Sequence, residues 1–89
     1  MHIVKFTERY LTQLVVLFEE YRVFCDSTAD PQATKDFLTR LIRNKESVIF
    51  IAIDTESDKV MGFVNLYPSY STLALQRLWI LNDLAVSSE

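Results

Sequence analysis

The carboxylate of Asp83 is the side chain in this sequence with the clearest chemical potential. It lies in WILNDLAV, residues 79–86, where every other position except Asn82 is apolar. A carboxylate in such surroundings can hold a cation or accept a proton. It can also end the strand or pair with a cation such as Arg77, so a functional and a structural role both stay open.

The other reactive residue types stand alone in the sequence. His2 is the only histidine and Cys25 the only cysteine. Metal sites need several clustered ligands, and a nucleophilic triad needs a base beside its serine or cysteine. We therefore predict no metal site and no triad, and we expect Cys25 to be a small buried apolar side chain.

Apolar periodicity predicts the helices that would position these residues. Residues 2–6 indicate a short strand, after which the hydroxyl of Thr7 is expected to cap a first helix. Apolar residues then recur at spacings of three and four as far as Cys25, which is typical of a helix lying on a core. Asp30 followed by Pro31 predicts a second helix with a capping carboxylate and an N1 proline. The buried stripe of this second helix is expected to be Phe37, Leu38, Leu41 and Ile42.

Three strands are expected after the second helix. Residues 47–53 are apolar without polar alternation, which is typical of a strand covered on both faces. A further strand covers residues 60–68, and Pro68 either ends it or marks a bulge. The final strand runs through residues 76–86. The order β-α-α-β-β-β predicts an α+β fold, in which a mainly antiparallel four-stranded sheet carries both helices on one face.

This arrangement would leave one face of the sheet without cover. The helices can cover only one side, so half of the apolar residues in the last strand would be exposed, and that strand would also be a sheet edge. The apolar set is Trp79, Ile80, Leu81, Leu84 and Val86. The pattern predicts a partner, either a second copy of the chain or a complementary C-terminal half.

Composition narrows the class of partner and the compartment. The net charge of −3 and the absence of a basic run argue against nucleic acid. The apolar runs are too short to cross a bilayer, and the N-terminus lacks the pattern of a signal peptide. With one cysteine the fold needs no disulfide, so we expect a cytoplasmic protein with no membrane partner.

Three segments together resemble a known family. LVVLFEEYRVFCDSTADPQATKDFL, VIFIA and GFVNLYPSYSTLALQRLWILNDLAV look like the first half of the GNAT superfamily of acyl-CoA-dependent N-acetyltransferases. The most specific part resembles a branch with L-Y-P followed by R-x-W-x-L-N-D-L. The resemblance covers nearly the whole chain, which is interpreted as a single truncated domain over residues 1–89. It implies acetyl transfer from acetyl-CoA to a primary amine.

The resemblance also implies roles for individual residues. Asp83 would hold or deprotonate the substrate amine, and the backbone of Leu84, Ala85 and Val86 would contact the acyl-pantetheine arm. Trp79 can equally belong to a core or an interface. The side chains implied for the substrate pocket are Tyr21, Arg22, Tyr67, Tyr70 and Trp79.

One feature of the family is missing from these 89 residues. The family's Q/R-x-x-G-x-G/A loop holds the pyrophosphate of the cofactor, whereas the only glycine here is Gly62, inside a strand. We therefore expect a chain that binds acetyl-CoA weakly or not at all, is not catalytic alone, and is stabilised as a homodimer. The alternatives are an N-terminal fragment of an active acetyltransferase completed by a second chain, and an unrelated small α+β binding module.

Overall fold

A four-stranded antiparallel sheet forms the frame of the computed structural model, which describes residues 1–87. The strands lie in the order β1-β2-β3-β4, so β4 is an edge of the sheet within the described residues. This confirms the predicted α+β fold and its element order. The elements are β1 (His2–Lys5), a 3-10 turn (Glu8–Tyr10), α1 (Leu11–Phe24), α2 (Pro31–Arg43), β2 (Val48–Asp54), β3 (Lys59–Ser71) and β4 (Gln76–Val86).

The two helices begin in different ways. Asp30 accepts a hydrogen bond from the Ala33 backbone N–H at 3.1 Å, and Pro31 is the first residue of α2, so the predicted cap is confirmed. The predicted hydroxyl cap by Thr7 is wrong, because that side chain makes no capping bond. Instead the Thr7 carbonyl accepts from the Tyr10 N–H at 3.0 Å, which closes a 3-10 turn before α1 starts.

The strand β3 continues past its proline. Pro68 was expected to end the strand or to mark a bulge, but β3 runs on to Ser71, and Pro68 lies opposite Trp79 in regular pairing. The reason is that β2 pairs with β3 only as far as Leu66. Beyond that point β3 has one neighbour, so a missing N–H is tolerated as it is in an edge strand.

The core lies between the helices and one face of the sheet, which we call the covered face. The rings of Phe18 in α1 and Phe63 in β3 stack with centroids 4.1 Å apart. Two side chains that were predicted to be buried are not. The Phe37 side chain is 49% exposed, and Cys25 is exposed in the turn after α1. The buried apolar residues are Phe6, Tyr10, Leu14, Val15, Leu17, Phe18, Leu38, Leu41, Ile49, Ile51, Ile53, Val60 and Phe63.

The opposite side of the sheet has no cover in the described residues, and we call it the open face. Strand pairing and the alternation of side chains assign its members. These residues are exposed or half-buried, as the sequence predicted for the last strand; they are Ile3, Val48, Phe50, Ala52, Val64, Leu66, Trp79, Leu81, Leu84 and Val86.

Both helices are short relative to a bilayer. Within residues 1–87 neither is long and apolar enough to cross a membrane.

Candidate functional site

A cleft of about 360 Å³ opens where α1, α2 and the β3–β4 pair meet, and we call it the Asp83 cleft. It brings together four of the residues predicted from the sequence and adds others from α2. The lining residues are Phe18, Tyr21, Arg22, Asp30, Ala33, Thr34, Phe37, Tyr67, Asn82 and Asp83.

A bulge in β4 builds the floor of this cleft. Asn65 pairs with Asp83 and Leu66 pairs with Leu81, so Asn82 is an extra residue without a partner in β3. In a regular strand, neighbouring side chains point to opposite faces of the sheet. The bulge re-aims the chain locally, and both Asn82 and Asp83 reach the same cleft.

Two amides hold the carboxylate of Asp83. Asn65 Nδ2 donates to Asp83 Oδ2 at 3.0 Å, and Asn82 Nδ2 donates to the same oxygen at 2.9 Å. Asn65 is 1% exposed, and its Oδ1 is buried without a hydrogen-bond partner among the described residues. The carboxylate is therefore fixed in position from beneath and from the side.

Tyr21, in α1, lines the same cleft as Asp83, in β4. Hydrogen bonding to the Asp83 carboxylate is the main cause that raises the pKa of Tyr21 to about 12, and partial burial adds to it. Both effects favour the neutral phenol. The phenol of Tyr21 is therefore neutral at neutral pH.

The guanidinium of Arg22 is engaged by neighbours on the two helices. Its Nη1 lies 2.7 Å from Glu19 Oε1 and 3.4 Å from Thr34 Oγ1. Thr34 donates to Glu19 Oε1 at 2.5 Å, and the Asp30 backbone N–H donates to Glu19 Oε2 at 2.5 Å. Glu19 thus ties α1 to the start of α2 and fixes one wall of the cleft.

A larger groove of about 820 Å³ runs between α1 and the end of β4, and we call it the β4 groove. Leu84, Ala85 and Val86, whose backbone the family resemblance assigned to the acyl arm, line this groove. Within the described residues, β3 is the only strand beside β4. The backbone N–H and C=O groups on the outer side of β4 therefore have no partner strand. The other lining residues are Val15, Val16, Leu17, Glu19, Glu20, Tyr21, Val23, Phe24 and Pro31.

The structure does not bring Tyr70 and Trp79 to the Asp83 cleft. Both lie on the open face beside Arg77, whose guanidinium carbon is 5.6 Å from the Tyr70 ring centroid and 5.8 Å from that of Trp79. Arg77 also donates to the Tyr70 hydroxyl at 3.2 Å. The alternative of an Asp83–Arg77 pair is therefore not realised in the described residues.

Several residues of the site were missed by sequence reasoning. The sequence offered a signal for Asn65, because it is the one polar position in the apolar run 60–68. In the sheet it lies directly across from Asp83. Glu19 and Thr34 meet across two helices, which no local pattern could indicate. Phe37 was assigned to the core although it lines the cleft.

Comparison with known proteins identifies the family. A probable acetyltransferase of Haemophilus influenzae is 45% identical over 73 residues, which are 82% of this chain and 49% of that protein. An uncharacterised N-acetyltransferase of Bacillus subtilis is 43% identical over 70 residues, or 79% of this chain and 46% of its own length. The chain matches part of a GNAT-type N-acetyltransferase. The alternative of an unrelated binding module is thereby excluded.

Solved structures agree with the GNAT assignment. A crystal structure of a probable acetyltransferase matches the whole chain with a TM-score of 0.96 and 45% identity, and this chain covers 59% of it. A ribosomal-protein-alanine N-acetyltransferase from Brucella melitensis shares the fold, with a TM-score of 0.79 at 14% identity. No protein-family model matches the chain. The chain thus spans about half the length of the curated relatives that it matches.

Proposed function

We propose that this chain supplies the acceptor side of a GNAT acetyl-transfer site, in which the carboxylate of Asp83 holds a cationic primary amine. The observation that carries the proposal is the carboxylate fixed by Asn65 and Asn82 at the floor of the Asp83 cleft. In the family reaction the ammonium first gives up one proton, its nitrogen then bonds to the thioester carbonyl carbon as the bond to sulfur breaks, and the second proton that leaves the nitrogen balances the charge of the departing thiolate. Asp83 would orient the ammonium and accept the first proton.

The lining of the cleft suits a cation with an apolar body. Four aromatic side chains surround it, and ammonium groups bind favourably over aromatic faces. Asp30 adds a second carboxylate, while the single cation, Arg22, is already paired with Glu19. The aromatic residues are Phe18, Tyr21, Phe37 and Tyr67.

These residues provide a binding surface for only part of the acetyl donor, acetyl-CoA. The β4 groove offers an apolar channel and an open strand edge, which fit the pantetheine arm of acetyl-CoA along Leu84, Ala85 and Val86. These residues contain no glycine-rich loop that could hold the diphosphate of acetyl-CoA, because the only glycine, Gly62, lies within β3. There it allows close strand packing, since an added Cβ would lie 3.0 Å from the Ala85 carbonyl oxygen. We therefore propose that the 89 residues bind acetyl-CoA weakly or not at all and do not catalyse transfer alone.

Titration of the chain with n-butylamine, followed by amide chemical shifts, tests the amine site. Asp83→Asn keeps the shape and removes the charge, so it should weaken binding by about ten- to a hundredfold, the worth of a hydrogen bond to a charged group. Glu20→Gln is the matched control, since Glu20 lines only the β4 groove. Equal affinity of the wild type and Asp83→Asn would overturn the proposal.

A second proposal concerns assembly and is favoured by the open face. Leu81 and Leu84 are 57% and 61% exposed there, and β4 beside them is a sheet edge. Burying such a surface in a second copy would stabilise the chain, so we propose a homodimer through the open face or the edge of β4. The same surface could instead meet a complementary C-terminal half. In either case we propose a cytoplasmic protein with neither nucleic acid nor membrane as partner.

Light scattering tests the dimer. The wild type should have twice the monomer mass, and Leu81→Lys should shift it towards the monomer mass, because a buried ammonium without a partner opposes association. Thr55→Lys, in the exposed β2–β3 turn, is the control and should leave the mass unchanged. A monomeric wild type would contradict the homodimer and favour the complementary half.

A further inference from the structure

Asn65 is a polar residue buried in the core beneath the Asp83 cleft. Its side chain is 1% exposed, as little as that of Ile49, which lies directly across from it in β2. On its other side, Asp83 lies directly across from it in β4. An apolar side chain is the usual choice at such a depth, because an amide loses its hydrogen bonds to water there. The presence of asparagine at this position therefore needs a specific reason.

Only one end of the Asn65 amide has a hydrogen-bond partner. Its Nδ2 donates to Asp83 Oδ2 at 3.0 Å. An ionised carboxylate only accepts hydrogen bonds, so the amide nitrogen must face Asp83 and the amide oxygen is turned away from it. That oxygen, Asn65 Oδ1, is buried and has no partner within the part of the chain that the structure describes. A buried acceptor in this state lowers the stability of the fold, so the bond to Asp83 comes with a cost to the core.

The bond from Asn65 also fixes the orientation of the carboxylate. Asn82 Nδ2 donates to the same oxygen, Asp83 Oδ2, at 2.9 Å, but Asn82 is an exposed residue. The packed surroundings of Asn65 hold its amide in one rotamer, whereas an exposed side chain can change its rotamer freely. Asn65 is therefore the firmer of the two contacts, and Oδ1 of Asp83 is the oxygen that neither amide engages.

Resting on the proposed amine site, we infer that Asn65 is a positioning residue for Asp83, and that the fold retains it at a cost to its own stability. Within the described residues Asn65 does not line the cleft, so it acts on a ligand only through Asp83. By holding Oδ2 it keeps the carboxylate in one orientation before a ligand arrives. A group that is ordered in advance loses less conformational entropy on binding, which strengthens the binding.

Asn65→Leu separates positioning from a role in the core. Leucine has the same branching as asparagine, but it has neither the amide donor nor the unpaired oxygen. Binding of n-butylamine should weaken about three- to tenfold, the worth of one hydrogen bond, while the urea midpoint of unfolding stays equal or rises. Ser47→Ala is the matched control, because Ser47 Oγ is also buried without a partner in the described residues and does not line the cleft. This control should likewise keep or raise the midpoint, and it should leave the affinity unchanged.

The side-chain conformation of Asp83 provides a readout that needs no ligand. Three-bond couplings between its Hα and Hβ protons report whether the side chain occupies one rotamer or several. One rotamer is expected in the wild type and in Ser47→Ala, and an average over rotamers is expected in Asn65→Leu. If the wild type does not bind n-butylamine, the proposed amine site fails, and these couplings still decide whether Asn65 positions Asp83.

Each part of the inference has a result that overturns it. A single Asp83 rotamer in Asn65→Leu would show that the amide does not hold the carboxylate. An affinity of Asn65→Leu for n-butylamine equal to that of a binding wild type would show that the orientation does not matter for the ligand. A lower urea midpoint in both Asn65→Leu and the smaller Asn65→Val would show that the amide stabilises the core. Asn65→Val also carries the binding and rotamer measurements if leucine is too large for the site to fold.

Discussion

The two faces of the sheet are made of similar residues but differ in how far they are buried. In β2, the side chains of Ile49, Ile51 and Ile53 are at most 6% exposed beneath the helices. The alternating neighbours Val48, Phe50 and Ala52, equally apolar, remain half-buried on the open face. An apolar strand therefore indicates two surfaces that need cover, and α1 and α2 supply only one of them.

The chemistry also divides between the faces. Asp83 and Asn65 lie on the covered face, where Asp83 lines the cleft between the helices and β4. Arg77, Tyr70 and Trp79 lie on the open face, as a cation with two aromatic rings. The covered face thus carries a recessed polar site suited to a small ligand, while the open face presents a broad apolar surface suited to a protein partner.

Truncating a leucine on each face should give the largest contrast. Leu38 is fully buried against the covered face, so Leu38→Ala should lower the free energy of unfolding by about 3 kcal/mol through lost burial and a cavity. Leu81 is 57% exposed, so Leu81→Ala should cost less than about 1 kcal/mol in a monomer. Urea unfolding measures both.

The two leucine variants should also differ in how their loss of stability depends on protein concentration. In a homodimer the effect of Leu81→Ala should grow with concentration, because stability is then linked to association. The effect of Leu38→Ala should stay large at every concentration. Equal and concentration-independent losses in both variants would contradict the division into a covered and an open face.

A smaller effect is expected at the start of α2, which belongs to the covered face. Asp30→Ala removes the cap on the Ala33 N–H and should lower the free energy of unfolding by about 1 kcal/mol. Asp36→Ala, an exposed change inside the same helix, is the control and should stay within about 0.5 kcal/mol of the wild type. A greater loss in Asp36→Ala than in Asp30→Ala would refute the role assigned to the cap.

The smallest expected effect is a dependence on pH at Glu19. The hydrogen bond from Thr34 is the first cause that lowers the pKa of Glu19 below its ordinary value of 4.5. A lowered carboxyl pKa stabilises the fold above pH 4.5, and that contribution is lost as the pH falls through the value in the folded protein. The stability difference between wild type and Glu19→Gln should therefore be largest at neutral pH and shrink in acid. A difference that stays constant with pH would count against the network.

Local signals predicted the elements that local interactions determine. The bounds of β4 and the Asp30–Pro31 start of α2 follow from residues close together in the chain. Thr7 failed as a cap because its own carbonyl closes a 3-10 turn with Tyr10. Phe37 failed as a core residue because α2 packs through Thr34, Leu38 and Leu41.

The grouping of the site residues could not be predicted, since it depends on the bulge at Asn82. In a regular strand Trp79, Leu81 and Asp83 would share a face. The extra residue reverses the alternation, so that Trp79 and Leu81 lie on the open face and Asp83 lies on the covered face. Periodicity alone gives no sign of that reversal. The family resemblance had implied one pocket for Trp79 and Asp83, and the bulge places them on opposite faces.

Parallel calorimetric titrations of the same preparation with n-butylamine and with acetyl-CoA would show whether these residues hold the amine acceptor at Asp83 and lack a holder for the diphosphate of the donor. We expect binding of the amine, and weak or undetectable binding of acetyl-CoA. Tight binding of acetyl-CoA together with no binding of the amine would contradict it.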